Sequence, residues 1–294
     1  MIPILYLIAL IALVIASYTD IKTREVPDWL NFSLIGIGLG IRLLYSVIEG
    51  NYWIFLYGVF GFLVFLIIAL AMYYLGQWGG GDSKMLMGLG ALIGIPLGFS
   101  KEIYIQFLNS FFAQFIILIL LAGAVYGLLW SSILAIKHRK KFWKKFIELN
   151  LKYLKVKRAL LIFVVILFVI SFFVNIFFKI YLLSVILVIL LFFYTWIFAK
   201  SVELACMYKT IPVNKLTEGD WIVNNIEIKG KYITGPKELG ITKEQIKELK
   251  KFKVKEVLIK EGIPFVPSFL IAFIISLILD YYNVVLIGFF FFLI

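Results

Sequence analysis

Apolar runs of about 20 residues, the length that crosses a hydrocarbon layer, recur along this chain from Ile2 onward and confine it to folds whose main solvent is lipid. The runs predict helices near 2–19, 29–48, 53–76, 84–99, 107–136, 159–178 and 180–199, and apolar sequence returns in "IPFVPSFLIAFIISLIL". Ile2 to Tyr18 has no basic stretch before it and no small-residue cleavage site after it, so it reads as a retained helix. A last stretch, Val284 to Ile294, is short for a full crossing and reads as a half-helix or a steep return. With 63% hydrophobic and 16% charged residues, the composition lies outside the soluble globular range.

One region departs from this pattern. From 201 to 263 charges alternate with short β-rich runs such as "DWIVNN" and "VKEVLIK", which predicts a small water-soluble α+β insert. Its helix is announced by a capping box, Thr242 followed three residues later by Gln245. The expected class is therefore an all-α polytopic membrane protein of about eight transmembrane helices with a cytoplasmic α+β insert. It divides into a membrane region 1–136, a basic amphipathic segment 137–158, two further membrane helices in 159–200, the insert 201–263 and a C-terminal membrane segment 264–294.

A net charge of +12 raises the possibility of nucleic acid, but the basic residues flank apolar spans, where topology signals lie. With the N-terminus outside, the connections after the odd helices share one side, which collects Lys22, Arg24, Lys84, the ten basic residues from Lys137 to Arg158 and the thirteen from Lys200 to Lys260. The other side holds Lys101 and Lys179, so the basic face is expected to be cytoplasmic. "KHRKKFWKKFIELNLKYLKVKR" reads as an amphipathic helix on anionic lipid headgroups. Arg42, inside the second helix, is expected to snorkel outward. Cys206 is the one cysteine and His138 the one histidine, so neither an internal disulfide nor a multi-cysteine zinc site is expected.

Against this background two carboxylates stand out, because an ionisable group at the rim of a membrane segment is a functional hypothesis by default. Asp20 ends the first helix in "SYTDIKTREVPDWLN", and Asp82 opens the fourth in "QWGGGDSKML". The lysine distribution puts both at the same face. Two carboxylates brought within about 3 to 5 Å in a partly desolvated site tend to hold one proton between them. Such a pair can deprotonate an attacking water while it protonates a peptide carbonyl and then the leaving nitrogen. Gly79, Gly80 and Gly81 leave room for an extended substrate strand and can take positive φ. Lys84 is a candidate to act on Asp82 electrostatically or to steady an oxyanion. In the structural alternative, Asp82 is only an N-cap of its helix, and Asp28, following Pro27, fits the same description.

Three pieces of sequence together resemble a GxGD-type aspartic peptidase, specifically the archaeal prepilin peptidases of the type IV pilus and archaellum group. "DIKTREVPD", Asp20 to Asp28, is similar to that family's first-aspartate motif. "GGGDSK", Gly79 to Lys84, fits GxGD with a following lysine, and "EGIPFVPSFL", Glu261 to Leu270, is similar to the proline-flanked phenylalanine element that opens the last membrane segment. The resemblance implies that Asp20 and Asp82 are catalytic and that Gly79, Gly80, Gly81, Lys84 and Asp28 bind substrate or support them. It implies cleavage of a short basic leader from type IV pilin-like or archaellin precursors on the cytoplasmic side. No cofactor, zinc or methyltransferase activity is expected, and the expected partners are precursor proteins and membrane lipid, not nucleic acid. The rivals are a cation- or proton-coupled transporter using the same aspartates, which calls for carboxylates near the bilayer midplane in broken helices, and a non-catalytic membrane anchor.

Overall fold

The computed structural model describes residues 2–96, 110–228, 230–282 and 284. It is mostly helical, with one small strand-containing region. In chain order the membrane part begins with α1 (Pro3–Thr23), α2 (Asp28–Ile48), α3 (Trp53–Tyr74), α4 (Gly80–Ile93) and α5 (Phe111–Lys137). Next come α6 (Arg139–Lys152), α7 (Leu154–Ile170) and α8 (Ile176–Val202). After the insert follows α10 (Val266–Tyr281). Among the described residues, five helices are long and apolar enough to cross a membrane: α1, α2, α3, α5 and α8 with its continuation to Met207. The chain is thus a multi-pass membrane protein. α4, α7 and α10 are shorter, at 14, 17 and 16 residues. The expected helix ends at 97–99 and 107–109, and all of Val284 to Ile294 except Val284 itself, lie outside the described residues.

The core joins α1, α3, α4, α5 and α10. Leu5, Leu13, Phe65, Met85, Leu89, Phe112, Phe115, Phe269 and Phe273 are fully buried in one cluster. α4 lies deepest because glycine lets it touch its neighbours backbone to backbone. A Cβ on Gly90 would collide with the Gly61 carbonyl of α3, one on Gly61 with the Gly90 carbonyl, and one on Gly38 of α2 would come within 3.0 Å of the Ala91 carbonyl carbon. Small residues at helix crossings serve this purpose in lipid, where apolar burial alone gives no net drive to associate. Gly90→Ala is therefore expected to force α3 and α4 apart and destabilise the protein by about 1–3 kcal/mol, read as a lower thermal midpoint in detergent. Gly36→Ala, whose added Cβ would meet nothing within 4 Å, is the neutral control.

Arg42 does not snorkel. It is buried, with its Nε donating to the Ala91 carbonyl at 3.0 Å and Nη2 to those of Leu92 and Ile93 at 2.8 and 2.6 Å. Nη1 reaches the Ile54 carbonyl at 3.3 Å. The last carbonyls of α4 have no intrahelical partner and belong to buried residues, so one planar cation satisfies them and opposes the helix dipole. Gly94 follows with φ 70° and ends the helix.

The last hairpin turns at residues 171–175 and not near Lys179 as expected, which places Lys179 in the first turn of α8. Ser171 and Asn175 supply the reason. The Ser171 hydroxyl donates to the Phe168 carbonyl at 2.6 Å, and the Asn175 side chain caps α8 by accepting the Phe178 N–H at 3.1 Å. The basic amphipathic stretch is helical but breaks at Tyr153, where α7 takes over.

In the insert, β1 (Tyr208–Pro212), β5 (Glu256–Lys260) and β2 (Trp221–Ile222) form an antiparallel sheet in the order β1-β5-β2. β3 (Ile226–Ile228) and β4 (Lys231–Thr234) form a hairpin. α9 (Lys243–Lys251) has the expected capping box, with Thr242 Oγ1 accepting from the Gln245 N–H at 3.3 Å and Gln245 Oε1 from the Thr242 N–H at 2.8 Å. A separate apolar core, centred on Leu249, Ile241 and Ile222, holds these elements together. β1 pairs with β5 from Tyr208 opposite Lys260 to Pro212 opposite Glu256, and the Glu261 N–H donates to the Met207 carbonyl at 2.8 Å.

Candidate active site

Asp20 is buried because it continues the core-facing stripe of α1. Leu5, Ala9, Ala12, Leu13, Ala16, Ser17 and Asp20 each have another of the set three or four residues away, so they share one helix face, and all are buried. The helix ends one turn later at Arg24, whose backbone N–H donates to the Asp20 carbonyl at 3.0 Å. The Asp20 carboxylate meets the N-terminus of α10, where Val266 donates its N–H to Oδ2 at 3.0 Å. Pro267, in the first turn of α10, has no N–H to offer and a φ already suited to a helix start.

Asp82 stands in the first turn of α4. Gly79, extended at φ −72° and ψ 167°, precedes the helix, and its N–H donates to Asp82 Oδ2 at 3.1 Å. Asp82 is therefore not the N-cap foreseen in the structural alternative: Gly79 holds that position, and Asp82, three residues on, reaches back to its N–H. The carboxyls of Asp20 and Asp82 lie within electrostatic reach of each other, so α1 and α4 deliver two acidic groups to one end of the bundle. Trp78 fastens this end: its ring is 5.6 Å from that of Phe265 and 5.3 Å from that of Phe269. The start of α4 is thereby held against the start of α10.

The glycines act differently from one another. None of Gly79, Gly80 and Gly81 takes positive φ; in this connection Gly76 does, at 64°. The turn out of α3 has already been made there, so the triplet is free to lead straight into α4. A Cβ on Gly80 would meet nothing within 4 Å, whereas one on Gly81 would come within 3.3 Å of Val26 Cβ. Gly80 therefore leaves open space, and Gly81 lets α4 close on the segment between α1 and α2.

Lys84 is engaged by Asp28, with Nζ 2.7 Å from Oδ1. Asp28 is the first residue of α2, preceded by Pro27, and no side-chain bond caps that helix. The cap expected of Asp28 is absent because Pro27 holds the N-cap position and Asp28 is already inside the helix, where its carboxylate pairs with Lys84 instead. This pair straps α2 to α4 at the rim with side chains 36% and 62% exposed, so solvent screens it. Lys84→Ala is expected to cost no more than about 1 kcal/mol of stability, and Asp28→Ala the same, as measured by thermal unfolding in detergent. Among the described residues no group of three or more His, Cys, Asp or Glu side chains is gathered as metal ligands would be.

Two contributors escaped the sequence reading. The Val266 N–H contacts Asp20 through the backbone, which leaves no side-chain signal beyond the prolines around it. Tyr126 and Arg24 both pack on the Trp130 ring of α5, the guanidinium at 5.2 Å and the phenol ring at 5.8 Å, close to Asp20. In sequence, Tyr126 looks like any aromatic of a lipid span.

Residues 7–136 match the type IV leader peptidase family. The chain is 41% identical over 90 residues to a preflagellin peptidase of Methanococcus voltae, covering 31% of this chain and 38% of that protein. It is 38% identical over 88 residues to a preflagellin peptidase of Methanocaldococcus jannaschii, covering 30% and 37%. It is also 33% identical over 86 residues to the prepilin peptidase EppA of Methanothermobacter thermautotrophicus, covering 29% and 22%. The matched stretch spans well under two thirds of the length of each relative. The helices that carry Asp20 and Asp82 thus lie inside the stretch that matches the type IV leader peptidase family.

Proposed function

We propose that this protein is a membrane aspartic endopeptidase that removes the short basic leader from type IV pilin-like precursors at the cytoplasmic membrane face. The observation that carries the reading is the meeting of Asp20 and Asp82, remote in sequence, within a segment that matches leader peptidases. One carboxylate takes a proton from water as the oxygen attacks the scissile carbonyl, and the protonated partner gives its proton to the carbonyl oxygen. Collapse of the tetrahedral intermediate breaks the C–N bond as a proton passes to the leaving nitrogen. A single proton held between two carboxyls gives a rate that falls on both sides of an optimum pH. Gly80 gives an extended peptide access to the pair.

The position of both aspartates at helix ends supports hydrolysis over transport, since a coupling-ion site calls for carboxylates near the midplane. The side of cleavage rests on the basic residues of this face, which favour the cytoplasm. The relatives' names supply a second reading of substrate, archaellin in place of pilin, since two of the three are preflagellin peptidases. Co-expression with an archaellin precursor and a pilin precursor, each with a basic leader before an apolar helix, tests both. The reading requires leader removal from at least one precursor by the parent protein, and intact precursor with Asp20→Ala and with Asp82→Ala. Continued cleavage by either variant rules out the dyad.

A further inference from the structure

Near Asp20 the described structure leaves Ser17 Oγ, one turn back along α1, and two donors from the rim of the site without partners. Arg24 Nη1 and Tyr126 Oη are shut off from solvent and have no hydrogen-bond partner. Arg24 also holds a left-handed backbone, φ 62°, which a non-glycine residue seldom adopts and which tends to cluster where a site needs it. The consequence is directional: at the end of α1 the guanidinium is laid over Trp130 of α5, one turn beyond Asp20. Tyr126, one turn before Trp130 on the same helix, lies against that indole with the rings tilted 31° and 5.8 Å apart. Its hydroxyl is within electrostatic reach of both Asp20 and Arg24.

Buried donors without acceptors are rare because each forfeits its hydration, and they persist where a ligand supplies the missing oxygen. One of these donors is cationic and the other neutral, and an aromatic floor holds both. An extended peptide has the matching chemistry, since its main chain presents carbonyl oxygens at regular intervals and needs no particular side chain to do so.

We propose that Arg24 and Tyr126 form a substrate subsite on the Asp20 side of the dyad, binding main-chain carbonyl oxygens of an extended peptide next to its scissile bond. The subsite rests on the leader peptidase reading and adds to it a place where the precursor backbone is held. It acts on binding, so its loss raises KM while the chemistry at Asp20 and Asp82 continues.

The test is steady-state cleavage of a purified precursor by the full-length protein in detergent, comparing the parent with Tyr126→Phe, Arg24→Gln and Arg24→Lys. The expected result is a KM about 10-fold higher for Tyr126→Phe and for Arg24→Gln, with kcat within about twofold of the parent. Arg24→Lys, which keeps the charge but loses the fork, recovers part of the binding. A second measurement, the dissociation constant of the precursor on an Asp82→Asn background, should weaken by the same factor without any turnover. Parental KM and parental affinity in both Tyr126→Phe and Arg24→Gln overturn the subsite while leaving the peptidase reading intact. A parent protein that cleaves no precursor overturns the peptidase reading and the subsite with it.

Discussion

Asp82→Asn is expected to lower leader cleavage by about 10³-fold or more while leaving the fold in place, and Asp20→Asn to do the same. The amide substitution separates chemistry from architecture. Asp82 Oδ2 accepts the Gly79 N–H, and Asp20 Oδ2 accepts the Val266 N–H. Asparagine keeps a carbonyl oxygen for each of these bonds but can neither take a proton from water nor hold one for the leaving group. Alanine removes the acceptor as well, so Asp82→Ala is expected to lose about 1 kcal/mol of α4 stability in addition to all activity. Thermal midpoints of the asparagine variants close to the parent, together with intact precursor on a gel, are the expected pair of observations. Measurable turnover by either asparagine variant would remove the shared-proton mechanism.

The largest expected effect on stability comes from Arg42→Met. Methionine has nearly the reach of arginine and is happy in lipid, yet it offers no donors, so the carbonyls of Ala91, Leu92 and Ile93 lose their partners. For carbonyls of residues this deeply buried the loss should be about 3–5 kcal/mol, which corresponds to a fall in thermal midpoint on the order of 10 °C. Arg42→Lys should recover only part of this, because a point charge cannot serve three carbonyls in one plane. Gly58→Ala should act in the same direction, since its Cβ would collide with Arg42 Cδ. Activity should fall with stability in this series, because α4 is only 14 residues long and carries Asp82 at its other end. A midpoint for Arg42→Met equal to the parent's would show that the carbonyls find other donors.

Much of this was legible in the sequence where one physical rule decided the outcome. Hydrocarbon thickness marked the apolar spans, and the side chain of Thr242 marked the start of the insert's helix. The shared face of Asp20 and Asp82 followed from where lysines and arginines accumulate. What could not be read was whatever depended on a second element arriving. A single arginine in an apolar span can reach for the headgroups or turn inward. The choice for Arg42 was made by the end of α4 at Ile93, some fifty residues away in sequence. Asp28 reads as a cap, but the helix takes Pro27 as its N-cap and leaves Asp28 inside its first turn, paired with Lys84 at 2.7 Å. The positive φ open to Gly79, Gly80 and Gly81 is taken instead by Gly76, because the chain makes its sharp turn immediately after α3. The partner of Asp20 is a main-chain N–H of Val266, and no side chain in the sequence announces it.

The pairing of β1 with β5 has an architectural consequence. Since the first and last strands of the soluble region run side by side from Tyr208 and Lys260, the polypeptide departs from the membrane and rejoins it at neighbouring points. The third strand of this sheet, β2, pairs with the same end of β5, so the β3–β4 hairpin and α9 are what hang beyond the stem. These can be lengthened, trimmed or replaced without altering how far α10 stands from α8, and so without displacing the amide that Val266 extends toward Asp20.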